Sequence, residues 1–364
     1  MQIREIIQSL ERLAPPAYQE SYDNSGLICG SADNELTGVL VTLDCTEPVI
    51  EEAIRRGCNL VVAHHPIVFK GLKRLNGKNY VERTVINAIR AGVAIYAIHT
   101  NLDHVQQGVS KRMADKLGLT GARILQPKRG FLRKLTVFVP EENQDTLLAA
   151  LHKAGAGTIG KYSNCSFTVK GTGRFLPGSD ANPSLGEKGK SEAVPESRIE
   201  VILPFNTEAS VLAAMRKAHP YEEVAYYLQT LENEWQDVGA GMVGNLPEPM
   251  ETMAFLQKVK DTFGAGCLRH TEVLKPTVRR IALCGGSGSF LLRDAISAGA
   301  DVYITADFKY HEFFDAENHV VIADIGHFES EQYTKDLLFE HLKEKFANIA
   351  VCFSETETNP VRYL

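Results

Sequence analysis

The sequence predicts a mixed α/β protein: two similar α/β lobes with an inserted ferredoxin-like α+β domain. Three observations carry that prediction. Strand-length apolar runs alternate with amphipathic helical stretches at both ends of the chain, as βαβ units require. The middle follows the order β-α-β-β-α-β. The passages "EEAIRRGCNLVVAHHP" and "RDAISAGADVYITADF" can be laid over each other, each a helix ending near glycine and then a short strand with polar residues at its end.

Taken in order, "MQIREIIQSLERLAPP" reads as an amphipathic helix, because Ile3, Ile6, Ile7, Leu10 and Leu13 recur at helical spacing between charges. From 36 to 118, "GVLVTLD", "CNLVVAHHP" and "VAIYAIHTNLD" read as strands, separated by the helices "TEPVIEEAIRRG" and "YVERTVINAIRAG". Residues 1–127 are therefore expected to form the first lobe. Residues 128–234 follow as the insert. There "KLTVFVPEENQDTLLAALHKAGAG" reads as strand, turn and helix, "CSFTVKGTGRF" and "RIEVILPF" as strands, "TEASVLAAMRKAHP" as a helix and "EEVAYYLQTL" as the last strand. The Gly-, Pro- and Ser-rich stretch 171–198 is expected to be a long surface loop. Residues 235–364 form the second lobe, with strands "VRRIALCGGSG", "ADVYITAD" and "HVVIADIGH" and the helix "SFLLRDAISAG".

Composition excludes several classes. Net charge is −6, from 39 basic and 45 acidic residues, so no basic field points to nucleic acid. No apolar run approaches the ~20 residues that span a bilayer, and the N-terminus does not read as a signal peptide. A cytoplasmic protein is expected. The seven cysteines are scattered and include no CxxC pair, as reduced core residues rather than a thiolate site or disulfide framework.

In open parallel sheets, sites form outside the carboxyl ends of the strands. His64, His65 and Asp103 fall there in the first lobe. The second lobe offers "DIGHFESE", where His327 and Glu331 stand four apart and share one helix face. Consecutive strand residues point to opposite faces, so His64 and His65 could not chelate one ion in a regular strand. Pro66 ends regular pairing and would let the two serve neighbouring ions, which a carboxylate can bridge. Such a His and carboxylate set suits zinc, with iron, manganese or cobalt as alternatives, better than calcium or magnesium. Two divalent ions per chain are expected.

Other motifs leave two readings open. The glycine run Gly285, Gly286, Ser287 and Gly288 is either an anion-binding turn or a tight strand-to-helix connection. Asp23 and Asn24 of "YDNSG" either line the site or form an Asx-type turn.

The ordered set "SYDNSGLICG", "VVAHHPIVFKG", "AIHTNLDHV", "ALCGGSGS", "TADFKYHE" and "DIGHFESE" resembles the Nif-three-like family, also called GTP cyclohydrolase I type 2 homologues. The middle, ending "KAHPYEEVAYYLQTL", is similar to the PII-like or CutA-like insert of longer bacterial members. The resemblance implies a dinuclear site at His64, His65, Asp103, His327 and Glu331, and toroidal homohexamers with the metal sites facing an internal cavity. His311 in "FKYHEFF" resembles a family position near the metals, and is either a proton carrier or a group backing the ligands there, or a helix cap. The function expected is a metal-dependent hydrolase acting on a nucleotide or phosphoester. The alternative is a non-catalytic metal-binding regulator or scaffold that senses small ligands through its insert.

Overall fold

The computed structural model describes residues 1–364. Its strands, in chain order, are β1 (Gly26–Cys29), β2 (Val39–Asp44), β3 (Leu60–His65), β4 (Ala94–Ala97), β5 (Thr120–Lys128), β6 (Leu132–Pro140), β7 (Phe167–Phe175) and β8 (Glu192–Pro204). They continue as β9 (Tyr226–Leu231), β10 (Trp235–Glu251), β11 (Arg269–His270), β12 (Thr277–Ser287), β13 (Val302–Ala306), β14 (Val321–Asp324) and β15 (Val351–Phe353). The chain forms two units, Met1–Pro127 with Gln236–Leu364, and Lys128–Trp235.

The first unit contains a five-stranded sheet of order β1-β4-β3-β2-β15 and a six-stranded sheet of order β11-β14-β13-β12-β10-β5. In the five-stranded sheet β15, β2, β3 and β4 run parallel and β1 is antiparallel on one edge. Alternate side chains enter opposite layers, as the two-residue strand period dictates. Val39, Val41, Leu60 and Val62 pack on helices Ile3–Leu13 and Thr334–Lys345. Leu40, Val61, Ala63 and Ile95 face Val49, Ile50 and Ala53 of helix Glu47–Arg55 and Ala88 of helix Tyr80–Ala91. With both faces covered, the parallel strands are continuous apolar runs rather than alternating ones. The second sheet is covered likewise, by Met113 and Leu117 with Phe255 and Val259 on one face, and by Leu292 and Ala295 on the other.

The second unit follows β6, helix Gln144–Lys153, β7, β8, helix Glu208–Ala218, β9. Its antiparallel sheet has the order β7-β8-β6-β9, a split βαβ arrangement. Leu147, Leu151, Val211 and Met215 of the helices pack on Leu135, Val137, Ile199 and Val201 of one sheet face.

Two sequence expectations change. Strands β7 and β8 extend into the Gly/Pro/Ser-rich stretch, pairing Gly171 with Glu196 and Phe175 with Glu192, so the loop is 176–191 rather than 171–198. Ladder hydrogen bonds override the loop-like composition. Asp103 does not end a strand either. After β4 the chain turns at once into the four-residue helix Thr100–Asp103, pinned where Asn101 Nδ2 donates to Ala14 O (2.7 Å) and its Oδ1 accepts from the His99 amide (3.0 Å).

Candidate metal centre

The parallel register sets Asp44 of β2 opposite His65 of β3, at the carboxyl end of the sheet. That pairing places the Asp44 carboxylate where His65 Nδ1 donates to it (2.8 Å). His64 donates instead from Nδ1 to Ile98 O (2.8 Å). Both rings are thus held from behind through Nδ1, as metal-binding imidazoles commonly are, and turn Nε2 towards the site; His64 Nε2 has no hydrogen-bond partner there, while His65 Nε2 meets Glu331. The rings lie 4.9 Å apart, tilted by 46°. They point to different oxygens of one carboxylate, that of Glu331.

Glu331 closes the five-residue helix His327–Glu331 and is buried. It lies against Gly285 and Gly286, and at Gly286 (φ +61°) a Cβ would sit 2.3 Å from Glu331 Oε1. The Gly286 amide donates to Ser330 Oγ (2.9 Å), and Gly286 O accepts from Thr305 Oγ1 (3.0 Å). The glycine run therefore makes room for Glu331. Its amide at 286 is spent, and the 3-10 turn Ser289–Leu291 and a six-residue helix follow it.

The two oxygens of Glu331 face different partners. Oε2 lies 2.9 Å from His65 Nε2 and 3.1 Å from His327 Nε2. Oε1 lies 3.8 Å from His64 Nε2, which is itself 3.7 Å from Asp103 Oδ1. His327 Nδ1 donates to Asp307 (2.7 Å), the same backing that Asp44 gives His65. The structure thus brings His64, His65, Asp103, His327 and Glu331 together. His64, His65 and Glu331 could hold a metal ion, since one ligand atom from each lies within 4.8 Å of the others.

A test of fit comes from polar satisfaction. His64 Nε2 and Asp103 Oδ1 are buried and have no hydrogen-bond partner. Orphaned buried polar atoms are costly, about 1–3 kcal/mol each. Their spacing is near the ~3.3 Å that two ligands of one tetrahedral zinc keep at bond lengths of ~2 Å. The donor set fits a divalent transition ion.

Electrostatics agree. Burial, then the charge of Glu331, pushes Asp103 up to about 7. Burial would raise Glu331 also, but the charge and hydrogen bonds of the surrounding histidines hold it well below the usual carboxylate range. Burial disfavours charged His65, yet its bonds to Asp44 and Glu331 raise it to about 10. His327, also opposed by burial, is raised to about 11 by Glu331 and Asp307. Such a concentration of carboxylate around imidazoles is what a cation would neutralise.

The site opens on a cavity of about 1150 Å³, lined by His65, His99, Asp103, His327 and Glu331 among others. His311 is not among the lining residues. It is exposed on the 3-10 segment Tyr310–Ala316, its ring against Tyr310 and Phe314. Asp23 and Asn24 do not line the cavity either. Asp23 takes Thr100 N (3.0 Å), Ser25 Oγ (2.9 Å) and His99 Nδ1 (2.7 Å), and Asn24 donates to Val68 O (2.6 Å). Burial opposes the Asp23 charge, but these donors, His99 and Thr100 first, hold its pKa well below the usual range. Sequence reasoning missed Asp44, Asp307 and the Asp23–His99 pair. Asp44 and Asp307 end or directly follow strands β2 and β13, and that position was the available signal.

The fold and the site define a mixed α/β protein with a partly buried cluster of histidines and carboxylates on a large cavity, part of which cluster could hold a metal ion. The chain belongs to the Duf34/NIF3 (NGG1p interacting factor 3) family, whose model matches residues 1–360. A Halalkalibacterium halodurans protein named GTP cyclohydrolase 1 type 2 homolog is 39% identical over 364 residues, covering 99% of this chain and 98% of that one. A Bacillus subtilis protein of the same name is 37% identical over 367 residues, with 99% and 98% covered. A crystal structure described as a Bacillus cereus protein related to NIF3 superposes with a TM-score of 0.86 at 36% identity, covering 100% of this chain and 99% of that chain.

Proposed function

We propose that the chain binds two divalent metal ions, zinc first among them, and is a hydrolase acting on a nucleotide or phosphoester. The observation that carries this reading is the division of Glu331: one oxygen faces His64 and Asp103, the other His65 and His327. A carboxylate so placed suits a bridge between two ions. Ions bound there would supply Lewis-acid polarisation of a substrate oxygen and lower the pKa of a water. The residues of the chain do the rest. Asp44 and Asp307 fix the ring orientations of His65 and His327. Asp23 fixes the proton of His99 on Nδ1, so Nε2 is the acceptor that can take a proton from a reacting group in the cavity. A cavity of about 1150 Å³ holds a molecule of nucleotide size.

The same reading includes a duplicated lobe, an inserted PII- or CutA-like domain, a hexameric ring and a cytoplasmic location. Duplication is supported by two sheets that each carry three consecutive parallel strands with an antiparallel strand beyond the third. The split βαβ order of residues 128–235 supports the insert. No helix is long and apolar enough to cross a membrane. A regulator that senses small molecules is the second reading, favoured by a separate cavity of about 680 Å³ in the second unit.

The test is elemental analysis of gently purified protein, with turnover of a nucleotide and phosphoester panel in added zinc, manganese or iron. His327→Ala and Glu331→Ala are expected to lose both metal and turnover. Turnover that persists in a metal-free variant removes the hydrolase reading. Ligand-shifted melting without product favours the regulator.

A further inference from the structure

Residues 354–364 have no regular secondary structure, yet side chains distant in sequence hold them in place. After β15 the chain enters a clasp around the buried Glu52. That carboxylate accepts from Ser354 Oγ (2.7 Å), Glu355 N (2.9 Å), Thr356 N (3.1 Å) and Thr356 Oγ1 (2.7 Å). Two residues on, Thr358 Oγ1 donates to Asp44 Oδ2 (2.8 Å). Asp44 Oδ1 is the oxygen that orients His65. Asn359 Nδ2 then donates to Glu329 (3.2 Å), in the helix that carries His327 and Glu331. Asn359, Pro360, Val361 and Tyr363 finally line the cavity.

We propose that Thr358 is a positioning residue for the metal cluster, holding Asp44 and through it His65, so that segment 354–364 and bound metal stabilise each other. This rests on the metal-binding reading above. A carboxylate with one oxygen unanchored can rotate about its last bond, and the imidazole it holds then loses its fixed direction. The Thr358 hydroxyl removes that freedom. The Glu52 clasp keeps Thr358 in reach at no cost to the ligands themselves. Coupling of this kind is reciprocal: whatever the segment adds to metal affinity, metal adds to the attachment of the segment.

The test uses the full chain loaded with zinc. Zinc release to a chromophoric chelator is timed for the unaltered protein, Thr358→Val and Thr358→Ser. Residues that hold a ligand directly change affinity 10–100-fold, and Thr358 acts one bond further out, so Thr358→Val is expected to speed release roughly 3–10-fold. Thr358→Ser keeps the hydroxyl and restores the slow rate. Hydrogen exchange of amides 354–364 is expected to slow when zinc is returned to chelator-stripped protein. Equal release rates for Thr358→Val and the unaltered protein, or exchange that ignores zinc, overturn the proposal. If the unaltered protein retains no divalent ion, the metal reading falls and takes this proposal with it. Retention with equal rates removes this proposal alone.

Discussion

His65 and His327 present the same nitrogen to the same carboxylate oxygen, and an aspartate holds each from behind. Protons and a metal ion therefore compete for the same two lone pairs. Both groups are raised above the ordinary 6.5, to about 10 and about 11, despite burial. A raised histidine stabilises the fold fully below 6.5, and that contribution is lost as pH climbs through the folded values. In chelator, the melting temperature is thus expected to fall as pH rises towards 10 to 11. Metal binding runs the other way, because ligand nitrogens must be unprotonated. Zinc affinity should rise with pH, and binding at pH 8 should release about two protons per chain. Calorimetry in two buffers of different ionisation enthalpy measures that number, and a value near zero would rule out these two histidines as ligands.

Among the elements, the strands and longer helices were legible because burial on both faces writes itself as apolar runs and as 3.6-residue spacing. Of the five clustered candidate ligands, His64 and His65 were legible as strand-end residues and His327 and Glu331 as neighbours on one helix face, whereas Asp103 was expected at a strand end and lies in a short helix. What could not be read depends on partners far along the chain. The helix Thr100–Asp103 is too short to be set by propensity, and its conformation comes from bonds to Asp23 and Ala14. Segment 354–364 carries no periodic pattern, since its anchor, Glu52, lies 302 positions from Ser354. That anchor makes its own prediction. Burial opposes the Glu52 charge, but the amides and hydroxyls of 354–356 lower its pKa from 4.5 to about 2. A lowered carboxylate contributes stability above the unfolded value, lost as pH falls from 4.5 towards 2. Glu52→Ala should cost about 2–3 kcal/mol at neutral pH through several charge-assisted bonds. It should also flatten the acid limb of stability between those pH values. Urea unfolding at pH 7 and pH 3.5 measures both; an unchanged difference between the two pH values would deny Glu52 this role.

At the scale of the molecule, each unit owns its core. The clusters that fill the two larger sheets draw only on residues 1–127 and 236–364, and the cluster under the four-stranded sheet only on 128–235. Every candidate ligand lies in the first unit. The chain leaves that unit at the end of β5 and returns at the start of β10, and these strands are neighbours in one sheet. Neighbouring strands lie about 5 Å apart, a gap that a few residues close. Excising 128–235 and joining 127 to 236 through a short Gly-Ser turn should therefore leave a folded first unit with a cooperative melt. Its zinc content per chain should equal that of the intact protein, because none of His64, His65, Asp103, His327, Glu331 or their backing aspartates is removed. Residues 128–235 expressed alone should fold without zinc. A soluble, cooperatively melting excision product that binds no zinc would mean that the second unit takes part in the metal site.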